Sequence, residues 1–210
     1  MFKLLAKLPR ELGVACSGGV DSMAVLDFLR LRHNVTVCFF HHDTETSSKA
    51  LSFLSTYCYE NSIPMRVDFL VDACPKGVSM EEHWRNSRYE FLHSIEGVVV
   101  TGHHLDDCVE TYLFNCLHGK THTIPMWRNN VVRPFLTTPK SVFESWCVRH
   151  EVPWVEDASN KDLKYMRNHI RHKIVPEALK VNPGLRKVVK RLVLRQVSEA
   201  DAESHIHPPV

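Results

Sequence analysis

The alternation of short apolar runs with helical periods is what most limits how this 210-residue chain can fold. "LGVAC" (12–16) is a continuous apolar run, and residues 20–32 after it carry Val20, Met23, Ala24, Leu26, Asp27 and Leu31 at helical spacing. "VTVCFF" (35–40) is β-branched and aromatic, the composition of a strand. A helix is predicted over 47–61, with Leu51, Leu54, Tyr57 and Cys58 inward, and a strand over 65–71. Residues 79–94 open with Ser79 three before Glu82, the spacing of a capping box. "GVVVTG" (97–102) reads as a buried strand, and 105–117 as a helix with Leu105, Val109, Tyr112, Leu113 and Cys116 on one side. Near-continuous apolar strands, each followed by a helix, predict an α/β fold: a parallel sheet with helices on both faces. Such sheets bind ligands beyond the carboxyl ends of their strands. Both glycine-bearing turns, 17–19 and 101–104, fall at that edge.

After residue 118 the pattern changes. "HGKTHTIPMWRNN" reads as a loop, "VVRPFLTTPK" carries two prolines, and 140–150 is helical. From 161 to about 198 two basic amphipathic helices are predicted, broken at Asn182-Pro183-Gly184. Residues 161–195 hold 11 Lys/Arg against 2 Asp/Glu, while the chain as a whole carries a formal charge of only +2. Charge concentrated in this way points to a polyanionic partner, with a solvated helix face as the alternative.

Composition excludes several classes. No apolar run reaches membrane-spanning length. The basic start "MFKLLAKLPREL" is interrupted at Lys7, a poor signal peptide, so a cytoplasmic protein is expected. The seven cysteines are scattered and form no C-x-x-C pair, against disulfides and clusters. His41-His42, His103-His104 and His169-x-x-His172 have no third ligand at zinc-site spacing.

"VACSGGVDS" (14–22) joins a buried strand to a helix. Free backbone N–H groups and the helix dipole favour an anion there, and glycines let phosphate oxygens approach the backbone. The Ser17 and Ser22 hydroxyls can add hydrogen bonds, and Asp21 in the first turn can hold Mg²⁺ against the phosphate. The motif is neither a Walker loop, since no lysine follows Gly18-Gly19, nor G-x-G-x-x-G. In "HHLDDCVE" Asp106 and Asp107 open a helix, and Asp107 and Glu110 share a face. That pair suits Mg²⁺ or an incoming ammonium group; helix capping is the plain alternative. Arg85 and Arg88 lie on a helix directed at the same edge, where an arginine can stabilise charge on a phosphate. Farther on, Lys164, Arg167 and Arg171 fall on one stripe and Leu163, Met166, Ile170 and Ile174 on another, so the basic stripe is expected to face outward. Leu185, Val188, Val189 and Leu192 mark the inner side of the last helix, and Arg186, Lys187, Lys190 and Arg191 the outer.

"SGGVDS" resembles the pyrophosphate-binding loop of the PP-loop (N-type) ATP pyrophosphatases. "RNSRYEFL" (85–92), "TGHHLDDCVET" (101–111) and the text at 154–179 are similar, in the same order, to the tRNA(Ile)-lysidine synthase family's N-terminal catalytic domain. The resemblance covers roughly residues 12–190 and implies a Rossmann-like, adenine nucleotide α-hydrolase-like fold; the ATP-binding domain is expected over 1–135 and a basic helical extension packed on it over 136–210, with one continuous domain as the alternative. It implies ATP and Mg²⁺ as cofactors and tRNA and L-lysine as partners. A wobble cytidine is adenylated, and lysine then displaces AMP. The implied catalytic residues are Asp21, Arg85, Asp107 and Glu110, with Glu110 positioning the lysine amine. Ser17, Gly18, Gly19, Val20, Asp21 and Ser22 are expected to bind the nucleotide, Asp21 and Asp107 the metal, and Lys164, Arg167, Asn168 and Arg171 the RNA. Cys108 replaces the family's usual glutamine, and the loops at 41–47 and 118–129 also depart from its pattern. The family carries further C-terminal domains that grip tRNA; a minimal stand-alone enzyme, a homodimer or a protein partner that supplies recognition are the alternatives expected here. Two other readings stay open: another PP-loop adenylation (tRNA thiolation or amidation), and a catalytically idle RNA-binding module.

Overall fold

A computed structural model describes residues 1–156, 164 and 166–206, the last six by backbone alone. Its centre is a six-stranded sheet of order β3-β2-β1-β4-β6-β5. β1 (Glu11–Ala15) pairs in parallel with β2 (Asn34–His41) and β4 (Val99–Thr101), and β3 (Met65–Phe69) extends the sheet beyond β2. On the other side β6 (Val131–Val132) runs parallel to β4, and β5 (Trp127–Arg128) closes the edge antiparallel to it. The predicted parallel sheet is therefore present, each strand within a residue or two of its expected place.

The hairpin β5–β6 was not anticipated. It turns at Asn129, which takes φ +52°, a conformation that asparagine tolerates better than most residues. The Asn130 side chain donates to the carbonyls of Leu92, Ile95 and Gly97 and fastens the hairpin to the turn before β4.

Side-chain alternation assigns the two faces. Val14, Val37, Phe39, Val100 and Val132 join α1 (Val20–Arg30) and α2 (Glu45–Glu60) in one cluster. Cys38, Phe40, Val99 and Val131 face α3 (Met80–Ser94), which contributes Tyr89, Phe91 and Leu92. Neighbouring residues of one strand thus serve opposite layers.

The helices after the sheet share the larger core. In α5 (Lys140–Arg149), Phe143 and Trp146 pack with Phe2, Phe28 and Phe135, and Trp146 Nε1 donates to the buried Asp27 at 2.8 Å. The first basic segment comprises α6 (Met166–His169), a π-helical turn Ile170–Ile174 and α7 (Val175–Val181). After the break at Asn182–Gly184, α8 (Leu185–Ile206) inserts Leu185, Val189 and Val193 into the core. Two stripe expectations need correction: Met166 is 59% and Val188 37% exposed. Leu163 and the capping role expected of Ser159 or Asn160 lie outside the described residues.

Candidate active site

The loop between β1 and α1 has the backbone its glycines permit. Gly18 takes φ +80°, where an L side chain is strained. Gly19 caps α1 with no side-chain hydrogen bond, so the first-turn N–H groups have no side-chain acceptor. Ser17 is exposed at the loop's mouth. Ser22 behaves differently from the expectation. It is 7% exposed, accepts from Ser17 N at 3.2 Å and donates to the Gly19 carbonyl at 2.9 Å. Its hydroxyl laces the loop from within, 3.4 Å from the exposed Ser17 Oγ. The other wall of the mouth is Gly102, after β4; a Cβ there would come within 3.3 Å of the Asp21 carbonyl.

Beyond Gly102 the chain enters α4 (Leu105–Leu117) through a capping box that the sequence did not reveal as such. His104 is 1% exposed. Its Nδ1 accepts from Asp107 N at 3.2 Å, and Asp107 Oδ2 accepts from His104 N at 2.9 Å. The opposite ring nitrogen, Nε2, lies 3.6 Å from Asp21 Oδ2. One imidazole therefore separates the phosphate-loop aspartate from the α4 carboxylate. Burial alone would lower the His104 pKa, but Asp107 and Asp21 outweigh it and raise it. Burial pushes Asp107 the other way, yet His104 and Arg167 hold its carboxyl far below the usual range. The H-x-x-D spacing is that of a capping box with untypical residues, and it was the one available signal for His104.

Arg167 and Arg171 do not face outward. Arg167 Nη2 donates to Asp107 Oδ1 at 2.8 Å and its Nε to Glu110 Oε2 at 3.2 Å. Arg171 Nε reaches Glu110 Oε1 at 2.6 Å, and Nη2 reaches Oε2 at 3.1 Å. Asp107 and Glu110 are 7% and 5% exposed, and two buried carboxylates demand counter-charge. That demand turns the stripe inward. Asn168 is buried beside them, and Lys164 is exposed. The third α4 acid, Asp106, accepts from Lys140 N at the start of α5 and from Arg186 of α8.

The family model of the PP-loop domain matches residues 2–178. This chain belongs to the PP-loop domain family. It is similar to proteins named tRNA(Ile)-lysidine synthase from Legionella pneumophila, Thermotoga maritima and Lactiplantibacillus plantarum. The identities are 31%, 33% and 34%, over 84%, 86% and 84% of this chain and 44%, 48% and 44% of theirs. The chain thus spans a little under half the length of these curated relatives.

In this PP-loop domain Arg85 and Arg88 occupy the α3 side of the same edge. Burial and the neighbouring charges of Arg128, Arg133 and Arg167 hold the Arg85 guanidinium below its ordinary pKa. His103, next to Gly102, is pushed well below its usual value by burial, which outweighs Asp107, and its Nδ1 meets Thr101 Oγ1 at 2.8 Å. For a cation, Asp21 fits and Asp107 does not. Asp21 Oδ1 is buried with no hydrogen-bond partner, whereas both Asp107 oxygens are engaged. Among the described residues no three His, Cys, Asp or Glu side chains converge on one point, so a metal there would lean on phosphate oxygens and water. Cys108 is fully buried with Sγ toward the Leu136 carbonyl; the departure from glutamine affects packing and not the mouth of the site. No helix among the described residues is long and apolar enough to cross a membrane.

Proposed function

We propose that the chain is an ATP-dependent tRNA-modifying enzyme that adenylates the 2-oxygen of a wobble cytidine and replaces it with lysine. The observation that carries this reading is the His104 bridge. It sets a phosphate loop with an unsatisfied aspartate beside a buried pair of carboxylates, at one sheet edge. The names of the similar proteins supply the substrates. The α1 N-terminus and the Ser17–Gly19 backbone receive the β and γ phosphates. Asp21 Oδ1 is the oxygen that would hold Mg²⁺, which when bound neutralises phosphate charge. The cytidine oxygen attacks the α-phosphorus, and pyrophosphate leaves. Arg85 stabilises the charge that develops. The lysine ammonium passes a proton to Glu110, the free amine attacks C2 of the base, and AMP leaves with the oxygen. Asp107 and Glu110 receive the ammonium form and orient it. To do so they exchange part of their hold on Arg167 and Arg171.

The test is product mass. The protein, ATP, Mg²⁺, lysine and bulk tRNA are incubated, and the RNA is digested to nucleosides. A cytidine heavier by lysine minus water supports the proposal. Gain of sulfur, or AMP formation without lysine transfer, indicates a different PP-loop chemistry. RNA binding with neither ATP turnover nor ATP–pyrophosphate exchange indicates an idle module.

A further inference from the structure

Four guanidinium groups surround one buried ring on the α3 side of the sheet. The Cζ atoms of Arg128, Arg85, Arg88 and Arg133 lie 4.1, 5.0, 5.8 and 5.8 Å from the Tyr89 ring centroid. Tyr89 is 2% exposed and Arg133 1%. Arg133 donates from Nη2 to Tyr89 Oη and from Nη1 to the Pro125 carbonyl, both at 2.7 Å, while its Nε is buried without a partner. Arg85 and Arg128 are exposed above them.

Among the described residues no carboxylate answers this charge, and the arginines paired with acids are Arg30, Arg167, Arg171, Arg186 and Arg195. Asp107 and Glu110 are already taken by Arg167 and Arg171, and among the described residues no ion pair joins Arg85 to Glu81, one helical turn before it on α3. Like charges crowded together and partly buried are costly unless an anion joins them. The aromatic face offsets part of that cost through cation–π attraction, but it neutralises nothing. Burial holds the Arg88 guanidinium below its ordinary pKa; Tyr89 pulls it back up, and Arg85, Arg167 and Arg133 each add a lesser push downward. Guanidinium forks that are held planar and without acids match phosphate oxygens.

We infer that the Tyr89 arginine cluster, built by α3 and the β5–β6 hairpin, is a binding site for a phosphodiester of the RNA backbone. This inference rests on the RNA substrate proposed above. Arg85 is the member of the cluster assigned above to the nucleotide, and Arg128 lies farther along the sheet. It sits on β5, three strands from β1, or ~14 Å at the usual strand spacing. A polymer with a phosphate at every nucleotide spans both places. Arg128 also faces the α3 side, because it registers with Val131 of that cluster.

Arg128→Ala tests the site: the side chain is exposed at the sheet edge and lies over the Tyr89 ring, so stability is followed alongside binding. tRNA affinity is measured for wild type and variant at several salt concentrations, with ATP affinity and the urea midpoint alongside. The expected result is RNA binding several-fold weaker, with a log–log salt slope smaller by roughly 0.7–0.9. ATP affinity and the midpoint should be unchanged. Arg128→Lys should keep most of the slope and lose part of the affinity. Wild-type binding matched by Arg128→Ala in affinity and slope would overturn this inference alone and make the cluster a packing arrangement. A parallel loss of ATP affinity would reassign it to nucleotide phosphates and overturn the RNA site. If wild type binds no tRNA, the substrate proposal and this site fail together.

Discussion

Arg171 grips Glu110 with two parallel contacts, Nε to Oε1 at 2.6 Å and Nη2 to Oε2 at 3.1 Å, across 61 positions of sequence. Removing the arginine leaves a buried carboxylate half-compensated. We predict that Arg171→Ala lowers the unfolding free energy by ~2 kcal/mol, less than the 3–5 of a fully buried pair. Its side chain retains 27% exposure, and Arg167 still reaches Glu110. Adding Glu110→Gln should recover part of the loss. Urea denaturation of the four proteins in that cycle gives the coupling; independent, additive losses would show that the contact is not energetically coupled.

Asp21→Asn is expected to abolish AMP formation while leaving the melting temperature within about 2 °C of wild type, the scale of a surface change. The motive is Oδ1, buried and without a partner. Gly18→Val should lose ATP binding and stability together, because φ +80° suits no β-branched residue. Normal ATP turnover in either variant contradicts the phosphate-loop assignment.

The His104 environment implies a pH dependence. Its folded pKa is raised, so its contribution to stability is complete below the unfolded value of about 6.5 and fades as pH climbs through the folded value. Protonation also exchanges one contact for another. A neutral ring accepts the Asp107 N–H, whereas a charged ring turns Nδ1–H toward Asp107 Oδ2, 3.2 Å away. His104→Asn keeps a capping acceptor and removes the charge. The stability gap between wild type and variant should therefore shrink from pH 6 to pH 8.5. A gap that stays constant would mean that His104 acts only as a neutral cap.

The outer face of α8 remains the cleaner test of the basic block, since Arg167 and Arg171 are committed to α4. Replacing Lys187, Lys190 and Arg191 with glutamine should weaken tRNA binding and reduce the salt slope by up to 0.7–0.9 per lost contact, without altering ATP affinity. An unchanged slope in filter binding would mark these charges as solvation only.

Local patterns carried most of the fold. The strands from "LGVAC" to "GVVVTG" and the helix 105–117 are set by period and composition, and both survive packing. The hairpin at Trp127–Val132 is too short to show a period, and its turn is Asn-Asn with no glycine. At the site, "SGGVDS" announced a phosphate loop, but not that Ser22 would bond inward. The stripe of Lys164, Arg167 and Arg171 looked solvent-facing because amphipathic reasoning sorts residues by polarity alone. It cannot see that another helix has buried two acids that need those charges. His104 and Arg128 were missed for a related reason: their roles depend on partners 83 and 39 positions away, Asp21 and Tyr89.

The three α4 acids, Asp106, Asp107 and Glu110, are each met by an arginine from 57 to 80 residues further along the chain. In kinetic terms these are closures of long loops, whose entropy must be lost before the ion pairs form. The β1–β2–β3 and β4–β6 pairs can assemble from nearer contacts first, whereas β1–β4 joins Gly13 to Val99 and closes a loop as long as those of the ion pairs. We therefore predict φ-values near zero for Arg171→Ala, with the mutation accelerating unfolding and barely slowing folding. A value near one would place the docking of the basic helices in the folding nucleus. In the expected case the docking of the basic helices is a late event of folding, and that event brings Arg167 and Arg171 onto the buried acids of α4.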